Sequence, residues 1–449
     1  MNVLIVSHNV LGGSSGMGKT LKTYFSKIRD CNVYQFYIHS EVPTDDEVCT
    51  DYYRFTDPDA IKSHLPFYKA GTIFEKDDIQ VDLSFSRTDR GTLGNVYQYG
   101  RKRTPEIYLA RNAVWKTAKW KSRRLREWVD RASPDVVFLA AGDYAFIYDI
   151  AVSIADYARC ALVVLCTDDY FLEDNKDSSR ITSKRTRHSS NHRKAFADSL
   201  AKKQLMKAAF RTMKRAECIL CMCDEMRDEY RKLFRTETAT VYTGAVRKEN
   251  KPVREGRHLM SYVGYLGGNR HKSLIELGNA VNDLSVAGKP DAIEVYSNEK
   301  REHIVRELEE ARGIRFHGEA DPETAAQVTA ESEYVVHVEG FDQKSRKAVR
   351  YSISTKIADY LMNGPCIVAY GPQEVASMRY LADHCAGLVI TDKSRLKEEL
   401  GELFNNPIAY DRMIGHAREL ADRNHDITKV GERIYSILNR SIDNYKLNR

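Results

Sequence analysis

Short apolar runs recur along the chain, and polar stretches with apolar residues at three- and four-residue spacing separate them. The runs read as buried strands and the spaced stretches as helices, and their alternation predicts parallel, doubly wound sheets. Val3–Ser7 is the first strand, Gly18–Ile28 the first helix and Val33–Ile38 the second strand. Residues 41–100 are polar, irregular and rich in turn residues, and read as a variable insertion. Glu106–Arg131 is helical by pattern. Asp135–Ala140 reads as a strand, Tyr144–Arg159 as a helix and Ala161–Cys166 as a strand. A long basic helix over Asn191–Arg215 follows, then a strand over Glu217–Cys223 and a helix over Asp224–Phe234 with Asp224 as its N-cap.

Val246–Arg257 is charged, contains proline and lacks periodicity, so it reads as a linker. A second strand–helix series begins at Leu259–Gly264. Its helices are expected over Ser273–Ala287 and Glu299–Ala311, and its strands at Ala292–Ser297, Ile314–His317, Tyr334–Val338, Cys366–Tyr370 and Gly387–Ile390. Three helices close the sequence, at Ser394–Phe404, Pro407–Arg423 and Ile427–Ser441.

A chain of 449 residues exceeds one core, so several domains are expected. The division read from the pattern is 1–250, 251–425 and a terminal helix over 426–449. No apolar run reaches the roughly 18 residues of a membrane span. MNVLIVSHNV is expected to be a strand rather than a signal peptide, because it lacks a basic leading region. Nine scattered cysteines suit a reducing cytoplasm. Cys218, Cys221 and Cys223 lack a second ligand pair and read as a buried strand, not a zinc site.

Charge changes the picture in the first half. Arg101–Arg131 holds 11 basic and 3 acidic residues, and Arg180–Arg215 holds 12 and 1. Such stripes are solvated helix faces or seats for phosphate and anionic lipid. Trp115, Trp120 and Trp128 lie in the first stripe, a combination read either as an interface or as core tryptophan with snorkelling cations. Nucleic acid is a competing polyanion, but no nucleic-acid motif accompanies the stripes, so none is expected as a partner.

The most chemically specific segment is Ser352–Tyr370, SISTKIADYLMNGPCIVAY. Ser354, Thr355 and Lys356 open a helix, whose free N–H groups favour an anion. Asp359 lies one turn on, Gly364 ends the helix and Pro365 prevents its continuation. Cations for a diphosphate beside a carboxylate for a sugar diol suit a nucleotide-sugar. Gly13–Thr20, GSSGMGKT, satisfies a second phosphate pattern, the P-loop, with Lys19 and Thr20 in the reactive places. His8–Gly12 separates it from its strand, which a P-loop does not allow. A P-loop ATPase therefore stands as the alternative function.

Lys356, Asp359-Tyr360 and Gly364-Pro365 resemble the donor-site motif of GT-B glycosyltransferases, especially the large retaining family that builds bacterial capsule and O-antigen (glycosyltransferase family 4-like). Gly264–Leu277, GYLGGNRHKSLIEL, resembles that family's phosphate-binding turn, and Glu339-Gly340-Phe341 the start of its two-carboxylate motif. The family's turn carries an arginine where this chain has Tyr265. Twenty positions separate Glu339 from Asp359, with the basic segment DQKSRKAVRYS between them.

The resemblance implies an α/β GT-B fold: two Rossmann-like domains facing a cleft, with a C-terminal helix crossing back to the first. The first domain would take the acceptor and the second the donor. It implies transfer of a sugar from a nucleotide-diphosphate sugar, with retention and without metal or other cofactor. A non-catalytic nucleotide-sugar-binding paralogue is a further alternative. Arg270, Lys272 and Lys356, with Ser354 and Thr355, would hold the diphosphate, Asp359 the ribose, and His317 would lie against the base. Gly12 and Gly13 would let the backbone approach the donor phosphate. Glu339 would lie near the donor sugar, and Asp168 and Asp169 at a strand end near the acceptor, where an open α/β sheet binds ligands. His8 could reach the same side. The acceptor expected is a glycan or a polyprenyl-linked diphosphate, with an anionic membrane surface held through 101–131 and 180–215. The protein would then be cytoplasmic and peripheral at the inner face of the membrane.

Overall fold

The computed structural model describes the chain except residues 14, 46, 50, 80–103, 170–171, 173–191, 248–258, 286–289 and 449. Most of the segment read as a linker lies outside the described residues. The chain forms two compact units, Met1–Thr243 with Val430–Arg449, and Gly244–Lys429.

The first unit is built on eight strands: β1 (Asn2–Ser7), β2 (Asn32–Tyr37), β3 (Asp51–Arg54), β4 (Thr72–Glu75), β5 (Val136–Ala140), β6 (Ala161–Cys166), β7 (Cys218–Cys221) and β8 (Glu237–Thr240). Their order is β4-β3-β2-β1-β5-β6-β7-β8, parallel except for β4. β5 and β6 are buried at every residue, which is why they read as unbroken apolar runs rather than alternating ones.

Three readings differ from the structure here. The described part of 41–100 is not an insertion, because β3, the helix Asp57–Lys62 and β4 extend the sheet edge. The single helix expected over Glu106–Arg131 is two, Pro105–Thr117 and Arg123–Ala132. Ala118 leaves helical geometry at ψ 140°, and the Ser122 hydroxyl accepts from the Leu125 N–H to cap the second helix. The helix Asp224–Leu233 is capped by Cys223, whose sulfur accepts from the Met226 N–H, rather than by Asp224.

The helix Ile427–Leu447 completes the first unit's core. Val430, Ile434, Ile437, Leu438 and Ile442 recur at helical spacing and pack with strand residues such as Val3, Val136 and Leu220.

The second unit holds β9 (Met260–Val263), β10 (Ile293–Tyr296), β11 (Ile314–Gly318), β12 (Tyr334–Val338), β13 (Cys366–Tyr370) and β14 (Leu388–Ile390). The order is β11-β10-β9-β12-β13-β14, parallel throughout. Chain progression reverses between β9 and β12. The reversal point, beyond the carboxyl ends of those two strands, is where this topology seats ligands.

Candidate functional site

The two loops at the reversal are joined by one ion pair. Arg270 opens the helix Arg270–Asp283, and Glu339 follows β12. Arg270 Nε and Nη2 each donate to a Glu339 carboxylate oxygen at 2.9 Å. The Glu339 side chain is 4% exposed and that of Arg270 23%. Burial opposes the Arg270 charge, but Glu339 more than offsets it and raises the pKa. Ser273 donates to the Glu339 carbonyl at 2.8 Å, and Asn269 to Asp342 at 2.7 Å. Gly340 completes the junction, since a Cβ there would collide with the Gly268 carbonyl oxygen.

Lys356 comes to the same place from the helix Thr355–Asn363. Its Nζ bonds the Val263 carbonyl at the end of β9 and stands 5.9 Å from the Tyr262 ring centre. The helix begins at Ser354, whose side chain makes no capping bond. Its first turn thus presents N–H groups and a lysine without an intervening side-chain cap. Asp359 is exposed one turn further on, and Gly364 ends the helix in left-handed geometry, at φ 104°.

The other second-unit candidates lie differently. Lys272 is exposed, about 200° round the helix from Arg270, so the structure does not bring it to the pair. The His317 ring stacks on Tyr296 at 4.6 Å, and its Nε2 lies 2.5 Å from Glu294.

Sequence reasoning missed His337. It is buried in β12, with Nε2 3.7 Å from Glu339 Oε1. Burial first, then Arg270 and Lys356, push its pKa down, while Glu339 pulls it up; the result is about 4. Its position two residues before Glu339 was the available signal, because alternate residues of a strand share a face.

In the first unit, the glycine loop differs from a phosphate cradle. The Gly12 N–H donates to the Gly18 carbonyl, the Gly13 N–H to that of Val10, and the Gly18 N–H to Ser15 Oγ. A Cβ on Gly12 would meet Asp45, and one on Gly13 would meet Val10 and Glu41. Both carboxylates are buried, and Asp45 pairs with Lys22 at 2.5 Å. These glycines therefore face carboxylates, with their own donors spent internally, which opposes the phosphate roles expected of Gly12, Gly13 and the P-loop pattern.

Asp168 is half-buried beyond β6, beside the buried Asp169. Asp169 accepts from the Leu172 N–H at 3.1 Å and from Tyr230 at 3.3 Å, so it fixes its own loop. His8 lies beyond β1, its ring parallel to that of Tyr144 at 6.0 Å. Cys218, Cys221 and Cys223 are buried as free thiols. Among the described residues no three His, Cys, Asp or Glu are placed to hold a metal ion.

The three tryptophans are core rather than interface. Trp115 and Trp128 are 1% exposed and Trp120 7%. The Trp115 indole donates to Asp57 at 2.7 Å and that of Trp128 to Asp51 at 2.6 Å.

No protein-family model matches the chain, and no curated protein matches it by sequence. Solved structures do. Anabaena HepE in complex with UDP and glucose is similar at a TM-score of 0.59 and 12% identity, over 98% of this chain and 100% of that one. Sucrose-phosphate synthase from Thermosynechococcus elongatus is similar at 0.59 and 10%, over 98% and 99%. WaaG, a glycosyltransferase involved in lipopolysaccharide biosynthesis, is similar at 0.52 and 14%, over 97% and 99%. What the chain shares with them is its fold, the α/β GT-B fold with two parallel-dominant sheets.

Proposed function

We propose that the protein is a glycosyltransferase that uses a nucleoside-diphosphate sugar. The observation that carries this reading is the convergence of Arg270, Lys356 and the uncapped Ser354 helix start at the reversal point of the second sheet. Two cations and a helix N-terminus form a seat for a diphosphate. HepE, with which the chain shares its fold, is described in complex with UDP-glucose.

In this reading Arg270 and Lys356 stabilise the departing nucleoside diphosphate, where negative charge develops as the glycosidic bond breaks. Asp359 holds the ribose. Glu339 aims the Arg270 fork. Retention of configuration and independence from metal belong to the proposal, as does a glycan or polyprenyl-linked acceptor. The basic helices of the first unit support an anionic membrane surface as a partner. Pro105–Thr117 and His192–Arg215 pack together, joined by Asn112 and Gln204. The P-loop ATPase reading is disfavoured by the buried carboxylates at Gly12 and Gly13.

A thermal-shift series with UDP, GDP, CDP, ADP and ATP, each with and without Mg²⁺, tests the reading. One nucleoside diphosphate is expected to stabilise the protein without Mg²⁺. Stabilisation by ATP alone, and only with Mg²⁺, would reverse it.

A further inference from the structure

Residues 64–69, HLPFYK, are six consecutive exposed residues between the helix Asp57–Lys62 and β4. Leu65 is 58% exposed and Phe67 fully exposed, with Ile61 at 44% beside them. Phe67 adopts φ 62°, left-handed geometry that a bulky side chain avoids. The loop is nevertheless pinned at its base. Tyr68 donates to Asp59 at 2.9 Å, and the Gly71 N–H to the same oxygen at 3.3 Å. The fold thus holds an apolar tip outward at a conformational cost.

Basic residues flank that tip. The Lys119 N–H bonds Ser63, and the Arg124 guanidinium bonds the Gly71 carbonyl, so the corner between the Pro105–Thr117 and Arg123–Ala132 helices adjoins both ends of the loop. Lys116, Lys119, Lys121, Arg123 and Arg124 are all exposed there, with Lys69 on the loop itself. The nearby carboxylates are engaged. Asp57 is bound by Arg111 and Trp115, Asp59 is buried as a cap, Glu127 pairs with Arg123, and Asp149, which interacts with Lys116 and Lys121, pairs with Arg211.

We propose that the 64–69 loop is a membrane anchor, inserting Leu65 and Phe67 into the interfacial layer of an anionic bilayer while the basic corner contacts the headgroups. This rests on the membrane part of the proposed function and gives that surface its insertion point. An apolar projection ringed by cations matches an anionic lipid surface in both polarity and charge. A protein partner fits less well, since a tip of three or four side chains is far smaller than the roughly 800 Å² per partner of a stable interface.

Flotation of the full-length protein with phosphatidylcholine vesicles, with and without phosphatidylglycerol, tests this. Wild type should partition onto the mixed vesicles and be released by salt. Phe67→Gly should lower that partition about tenfold, the scale of an apolar side chain left unburied. Because glycine accepts φ 62°, its melting temperature should hold or rise, so loss of folding cannot account for the result. Leu65→Ser combined with Phe67→Ser should abolish partition, and Lys119→Gln with Lys121→Gln should weaken it about fivefold or more. If both Phe67 variants partition like wild type, the tip is not the anchor, although the membrane reading survives. If wild type stays unbound on mixed vesicles at low salt, both fall. A wild-type dimer that Phe67→Gly makes monomeric, with no vesicle binding, would overturn the assignment in favour of self-association. Nucleotide titration of the same variants reads the donor site separately.

Discussion

Arg270 carries two duties that a single substitution would confound. Removing it strands Glu339, a carboxylate almost wholly shielded from water. Arg270→Ala should therefore destabilise the second unit by about 3–5 kcal/mol, the cost of breaking a buried pair, as well as weakening nucleotide. Chemical unfolding measures the first effect and calorimetric titration the second. Lys356→Ala is a second probe, at a lysine whose amine bonds the Val263 backbone carbonyl. It should cost about 1.5–3 kcal/mol of sugar-nucleotide affinity, the scale of a charge-assisted bond, while Lys19→Ala on the first unit costs almost none. Equal affinities for wild type and Lys356→Ala would remove Lys356 from the site. His337 adds a pH dependence. Its pKa is lowered to about 4 in the fold, so between about 6.5 and 4 the unfolded chain takes up a proton that the folded one refuses. Stability that is complete above pH 6.5 is lost as pH falls to about 4, by roughly 3 kcal/mol. His337→Leu should flatten that slope in urea unfolding at stepped pH, and an unchanged slope would assign the acid sensitivity elsewhere.

Helices and strands show which local signals carry structural information. The Gly268–Asn269 turn and the loop after β12 touch at Gly340, where a side chain has no room. Gly340→Ala should cost about 2–4 kcal/mol by forcing the loops apart, and should loosen Arg270 from Glu339. A melting temperature within a degree of wild type would contradict that packing. Most strands were legible because burial on both faces leaves unbroken apolar runs, as in Ala161–Cys166. β8 was not, because Glu237–Thr240 is a partly exposed edge strand without such a run. β4 was hidden for the same reason, and β3, which lies inside the sheet, because its four residues, DYYR, carry a charge at each end. The basic segment after Glu339 gave no sign of the helix Gln343–Val349, which rests on the Asp342 cap. In the candidate site, the helix opened by Ser354–Lys356 was readable from its Gly364-Pro365 stop and the apolar strand that follows. The Arg270–Glu339 pair was not, because only the strand order brings residues so distant in sequence together.

At the scale of the whole molecule, the terminal helix belongs to the core of the unit that the chain begins, not the one it has just left. Ile434 is fully buried there. Ile434→Ala should remove about 2–5 kcal/mol from the first unit and leave the second unchanged, a difference that hydrogen exchange resolved by segment can read. Equal loss of protection in both units would mean that they unfold together. The same arrangement sets an order of events at the ribosome. Residues 244–429 are contiguous, so the second unit has its whole sequence in hand once they emerge from the exit tunnel. The first unit begins synthesis earlier yet waits, its sheet missing an apolar cover, until the last helix arrives. A chain truncated before residue 430 and released should accordingly expose that uncovered sheet to chaperones, while its second unit has every residue it needs to close.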